Sequence, residues 1–206
     1  MTQLPPIDLM LTEEQRDCYQ EITNVAMGQA ADLLARLLDV YVILPIPNVN
    51  LLEVTELQMA LSAIEDTNSV SAVCQGFIGA GISGEALIIF NDASFDDIAR
   101  LMEYKGELTD TIEIELLTEM SSILTGACIN GFSTQLDLDF SLGHPVVMGQ
   151  HCNIGELVKA ENKHWKKALA IEINYTIKGY DINCDLLLLF TEDSLLSLNE
   201  RISCLL

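Results

Sequence analysis

The sequence repeats itself, and that repetition constrains the fold more than any single motif. The segment from Asp17 through Glu21 and Asn24 to Gly28 returns as Glu115, Glu119, Ser122 and Gly126, with each landmark displaced by 98 residues. The same displacement carries Pro47 onto Pro145, and a Leu-Thr pair stands ahead of each segment, at Leu11-Thr12 and Leu108-Thr109. Further on, Leu87-Ile88-Ile89-Phe90 corresponds to Leu187-Leu188-Leu189-Phe190 and Ser94 to Ser194, the offset having grown to 100 through one two-residue gap. Residues 1–206 therefore read as a single domain made of two structural repeats, about 11–104 and 108–206.

Within each repeat the periodicity changes character. Thr12 to Leu38 is helical, because Tyr19, Ile22, Ala26, Ala30, Leu33 and Leu37 recur at three- and four-residue steps. Thr12 with Gln15 supplies a capping box at its start. Thr109 to Leu136 repeats the pattern, with Leu117, Met120, Leu124 and Cys128 on the apolar stripe. After each helix the period drops to two. Leu169, Ile171, Ile173, Tyr175 and Ile177 alternate with Ala170, Glu172, Asn174, Thr176 and Lys178. Lys178-Gly179 then turns the chain into a strand over Asn183 to Phe190; in the first repeat, strands over Val70–Ile78 and Glu85–Phe90 flank a turn over Gly79–Gly84. Shorter helices follow at Ser94–Met102 and Ser194–Ile202. Strands joined by short turns pair antiparallel. The expected fold is α+β: a pseudo-two-fold tandem repeat with an antiparallel β-sheet and two long outward-facing helices, the strand order left open.

One side of the first helix is unusual. On a helical wheel, Asp17, Glu21, Asn24, Gly28, Ala31 and Ala35 fall opposite the apolar stripe. An exposed helix face normally carries long charged side chains, yet the residues after Asn24 on this one are small. Glycine inside a helix costs about 1 kcal/mol relative to alanine. Accepting it there suggests that another body packs closely. The plainer reading is that glycine and alanine mark packing against the other long helix of the same chain. A lone Glu-x-x-Asn is common, but its return in register with Gly and a distant Pro argues against an accidental surface pattern.

Charge excludes several functions. The net charge is -21, from 31 acidic and 10 basic residues, which repels phosphate backbones and argues against nucleic acid and anionic membranes. Lys159, Lys163, Lys166 and Lys167, with His164 and Trp165, form one basic stretch that reads as a solvated connector before a strand. Residues 1–11 lack the basic-then-apolar order of a signal peptide, and no apolar run approaches the roughly 18 residues of a membrane span. A cytoplasmic protein without membrane insertion is expected. Cys18, Cys74, Cys128, Cys152, Cys184 and Cys204 contain no Cys-x-x-Cys pair and read as reduced apolar fillers. His144, His151 and Cys152 match no standard zinc spacing, so no metal site is expected. Gly76 to Gly84 lacks the Lys-Ser/Thr of a phosphate loop and reads as a hairpin; Asn91-Asp92 and Asp96-Asp97 read as a solvated helix start.

Taken together, Asp17, Glu21, Asn24 and Pro47 resemble the signature of the CheC, CheX and FliY family of chemotaxis phosphatases: an acidic or serine residue, three residues, Glu, two residues, Asn, twenty-two residues, Pro. The chain is similar to the CheC-like form with two copies. The second copy keeps Glu115, Glu119 and Pro145, but Ser122 replaces the asparagine. The resemblance implies a phosphatase for the phospho-aspartate of a CheY-like receiver. Glu21 would engage the receiver's lysine and Asn24 would orient the attacking water. Asp17, Gly28 and Ala31 would serve docking, while Glu119 and Ser122 would form a second, degenerate site. It implies no cofactor of the chain's own, the divalent metal (Mg) belonging to the receiver. A CheD-like protein is a further partner that it suggests. The alternative is a non-catalytic module binding a receiver or CheD, or serving the flagellar switch, with an eroded site.

Overall fold

The structure is a computed structural model that describes residues 11–43, 45–53, 56, 69–153 and 167–203. Helix α1 spans Glu13–Leu38 and begins as its capping chemistry dictates. Thr12 Oγ1 accepts from the Gln15 amide at 3.2 Å, while the Gln15 side chain accepts from the Thr12 amide at 3.0 Å. Glu13 and Glu14 oppose the positive end of the helix dipole, and Arg36 lies at the negative end. The other long helix, α3 (Asp110–Leu136), is capped by Thr109. Both terminate on an aspartate in left-handed conformation, Asp39 and Asp137, each with φ of 51°. Such a residue turns the chain out of the helix and lets its amide bond a carbonyl of the last turn.

The strands are β1 (Val42–Ile43), β2 (Asn48–Glu53), β3 (Val70–Gly79), β4 (Ile82–Asn91), β5 (Ser141–Leu142), β6 (Val146–Cys152), β7 (Lys167–Ile177) and β8 (Asn183–Thr191). Helix α2 (Phe95–Leu101) follows β4 through a short 3-10 turn, and α4 (Glu192–Ser203) follows β8. The eight strands among the described residues form one antiparallel sheet in the order β1–β7–β8–β4–β3–β5, with β2 also on β7 and β6 also on β3. Exchanging each strand for the one four places later leaves this order unchanged. The edge strands are crossed over: β1 and β2 pair with the second half, β5 and β6 with the first.

The hairpin between β3 and β4 is tighter than its glycines suggest. Only Ala80 and Gly81 leave the ladder, at φ of 49° and 81°. Gly84 is a strand residue whose missing Cβ makes room for the Leu189 carbonyl oxygen, 2.5 Å from where that atom would stand. The short helices also differ by one or two residues from expectation: α2 is Phe95–Leu101 because Asp92–Ser94 ahead of it forms a 3-10 turn, and α4 starts two residues earlier, at Glu192.

Both long helices pack on one face of the sheet. Tyr19, Ala26 and Leu34 of α1 and Leu117, Met120 and Leu124 of α3 are buried against Ile88, Phe90, Ile171, Tyr175, Leu188 and Phe190. A smaller apolar cluster on the opposite face holds Val70, Ala72, Leu87, Ile89, Ala170, Leu187 and Leu189. Burial on both faces explains why β4 and β8 read as unbroken apolar runs. The last turn of α1 overhangs this core: Leu37, on the same wheel stripe as Tyr19, is 60% exposed. The Lys159–Lys166 part of the basic stretch lies outside the described residues, and Lys167 opens β7.

The helix contact is carried by Gly131, not Gly28. A Cβ on Gly131 would strike the backbone carbonyl of Ala26, so glycine lets α1 and α3 approach. Met27 Sδ and Cys128 Sγ meet there at 3.6 Å, and Cys128 also contacts the Tyr175 hydroxyl. Burial pushes the Cys128 thiol up to about 12, which keeps it protonated and unreactive.

Candidate functional site

The outward strip of α1 lies where the wheel puts it. Asp17, Glu21, Asn24 and Gly28 are exposed and Ala31 is half-buried, while Ile22, Thr23, Ala26 and Met27 between them face inward. Thr23 returns its hydroxyl to the Tyr19 carbonyl at 2.6 Å, so the only polar inward residue of this stretch is satisfied. Among the described residues, nothing lies within 4 Å of a Cβ built on Gly28. Nor does any described residue hydrogen-bond the Asn24 amide or pair with the Glu21 carboxylate. The strip is therefore a bare ridge on which the Glu21 carboxylate and the Asn24 amide stand a helical turn apart, with the Asp17 carboxylate one turn before Glu21.

Pro47 closes on this ridge from the side. It is buried at the entry to β2, where its missing N–H leaves no ladder bond unmade. Its carbonyl faces the Gln20 side-chain nitrogen at 3.5 Å. Gln20 precedes Asn24 by one turn on the same flank, so the long spacing from Asn24 to Pro47 returns in space as a neighbouring loop. Sequence reasoning passed over Gln20, because nothing in a lone glutamine marks it as a tether.

The second ridge differs in detail. Glu115 and Glu119 are exposed, as their counterparts are, but Ser122 is half-buried. Its hydroxyl donates to the Thr118 carbonyl at 2.9 Å, one turn back on its own helix. Thr118 in turn donates to the Ile114 carbonyl at 2.6 Å. Above Gly126 the methyl of Leu142 lies 4.0 Å from where a Cβ would stand. The two halves thus present an exposed, unpartnered amide on one side and an internally bonded hydroxyl on the other.

A titratable cluster lies at the first turn of α3. His151 Nδ1 is 2.9 Å from Asp92 Oδ2, and Nε2 is 2.8 Å from Glu113 Oε2. The hydrogen bond that the ring donates to Asp92 leads in raising the imidazole above its ordinary pKa, with Glu113 adding to it and burial opposing it. Ligand atoms of Asp110, Glu113 and His151 lie within 4.8 Å of one another. Neither His144 nor Cys152, the neighbours that the sequence sets beside His151, joins this grouping; Cys152 Sγ turns to the Val70 carbonyl at 3.5 Å.

No protein-family model and no curated protein matches the chain. The fold, however, is one shared with solved CheC-like, CheX, FliY and FliM middle-domain structures. The Thermotoga maritima FliY structure is similar with a TM-score of 0.68 at 20% identity, covering 95% of this chain and 98% of that one. The FliM middle domain of Vibrio alginolyticus is similar with a TM-score of 0.58 at 14% identity, over 87% and 99% of the two chains. The Borrelia burgdorferi CheX–CheY–BeF3–Mg complex is similar with a TM-score of 0.51 at 15% identity, over 82% and 97%. Among the described residues, no helix is long and apolar enough to cross a membrane.

Proposed function

We propose that this chain is a phosphatase for the phospho-aspartate of a CheY-like receiver domain. The observation that carries the reading is the Asn24 amide, exposed and without a partner among the described residues, one turn from Glu21 on a ridge left open at Gly28. An acyl phosphate is already reactive, and the receiver brings the divalent metal that stabilises charge on the phosphoryl oxygens. What a second protein can add is the placement of water in line with phosphorus. The water oxygen bonds to phosphorus, the bond from phosphorus to the aspartate oxygen breaks, the receiver regains its aspartate carboxylate, and inorganic phosphate leaves with the water's protons. An amide suits this task, since it accepts from the water while adding no charge to repel the phosphoryl group. Glu21 engages the receiver's lysine, and Asp17, Gly28 and Ala31 complete the contact. The CheX–CheY complex supports the reading, as a protein of this fold seated on a receiver. Acting on such a partner places the chain in the cytoplasm.

A second reading is a docking module for a receiver or a CheD-like protein, in the manner of a flagellar switch component. Ser122 favours it, because its hydroxyl is spent on its own helix. The likeness to the FliM middle domain favours it too. One assay separates them: the decay of an acetyl-phosphate-labelled receiver with and without the protein. Faster decay supports the phosphatase; tight binding with an unchanged decay rate supports the module.

A further inference from the structure

Among the described residues, Ile46 is the most exposed of the large apolar side chains, at 70%. Isolated apolar residues on a surface are ordinary and call for no explanation. The setting of Ile46 is not ordinary. It lies between Pro45 and Pro47, whose rings fix the backbone on both sides. Pro47 is buried, with its carbonyl facing Gln20 at 3.5 Å. Ile46 is thus held on a stiff loop against the Asn24 flank of α1. On the other side of Asn24 the next helix residue, Val25, is 41% exposed. Close by, the exposed carboxylates of Asp17 and Glu21 have no ion pair among the described residues. Displaced by 98, the loop position is His144 and the helix position is Ile123, so the second ridge lacks this pairing.

Building on the proposed receiver phosphatase, we infer that Ile46 is a specificity-determining docking residue which, with Val25, grips the receiver on either side of Asn24. The surface it fits carries an apolar side chain beside a lysine or arginine, to meet the isoleucine and the two carboxylates together. A stiff, displayed side chain loses little freedom on binding. Its contact lies away from phosphorus and is equal in ground and transition states. It sets half-saturation and leaves kcat alone.

The test is Ile46→Ser, with His144→Ser as control, against the source organism's receiver domains phosphorylated with acetyl phosphate. Affinity is measured in parallel for the same domains activated with beryllofluoride. Ile46→Ser is expected to raise half-saturation and Kd together by about tenfold at constant kcat, with the control unchanged. Unchanged affinity, or a fall in kcat alone, overturns the inference and leaves the phosphatase standing. Binding without accelerated hydrolysis, weakened by Ile46→Ser, overturns the phosphatase and keeps the docking role. If no receiver is bound, both fall.

Discussion

Asn24→Ala separates chemistry from folding more cleanly than any other substitution on the ridge. The side chain is exposed and no described residue bonds it, so its removal leaves no buried group unsatisfied. Within a helix, alanine is favoured over asparagine by roughly 0.5 kcal/mol, which for a chain of this size raises Tm by about 1–2 °C. The activity moves the other way. If the amide holds the water in line, its loss lets the nucleophile wander by about 1 Å, on the order of a hundredfold in rate, or about 2.7 kcal/mol. The assay is hydrolysis of a phosphorylated receiver at saturating substrate, read beside thermal unfolding. Ser122→Ala serves as the reference; it removes only a hydroxyl that already serves its own helix, and the rate should stay within about twofold. An Asn24→Ala protein that hydrolyses at the wild-type rate refutes the reasoning. So does one that loses rate and Tm together, since the residue would then be structural. Activity that survives Asn24→Ala and disappears with Ser122→Ala reverses the assignment of the two sites.

The same substitution should have opposite signs at two glycines. Gly28→Ala faces open space and should stabilise by about 1 kcal/mol while weakening receiver affinity, whereas Gly131→Ala meets the Ala26 backbone and should destabilise by about 1–3 kcal/mol in denaturant titrations. His151 should give a pH-dependent contribution. Its folded pKa is raised, so the stabilisation is complete below the unfolded value of about 6.5 and fades as pH rises through the folded value. The stability gap between wild type and His151→Gln should therefore be wider near about pH 5.5 than near about pH 9, and below about 1 kcal/mol because the ring is 43% exposed; equal gaps would remove the clasp between Asp92 and Glu113. Cys128 and Cys184, both raised by burial, should resist alkylation in the native protein and react only on unfolding; modification of either without unfolding would contradict the packing.

Much of this architecture was legible because local chemistry and global fold agree. Thr12 and Gln15 announce the first turn of α1, and the alternation from Leu169 to Ile177 fixes which side of β7 faces the main core. The open side of α1 followed from the wheel alone. What sequence could not supply is adjacency. A period of two says which face a residue takes and nothing about which strand lies beside it, so the crossing of β1 and β2 to β7 stayed hidden. Gly28 and Gly131 look alike as letters; they differ only in which side of a helix meets the other helix. Leu37 continues the apolar stripe past the point where the core ends. The Gln20–Pro47 contact and the His151 cluster join residues from separate elements, and no local pattern encodes such meetings.

The crossed edge strands have a consequence for the second ridge. Removing the second half would strip β7 from β1 and β2, and β8 from β4, leaving the first half with open borders on both sides. The α3 half is thus retained as framework whatever becomes of its own chemistry. A chain built like a woven mat can let one working corner wear away, because the threads that pass through it still hold the other corner flat.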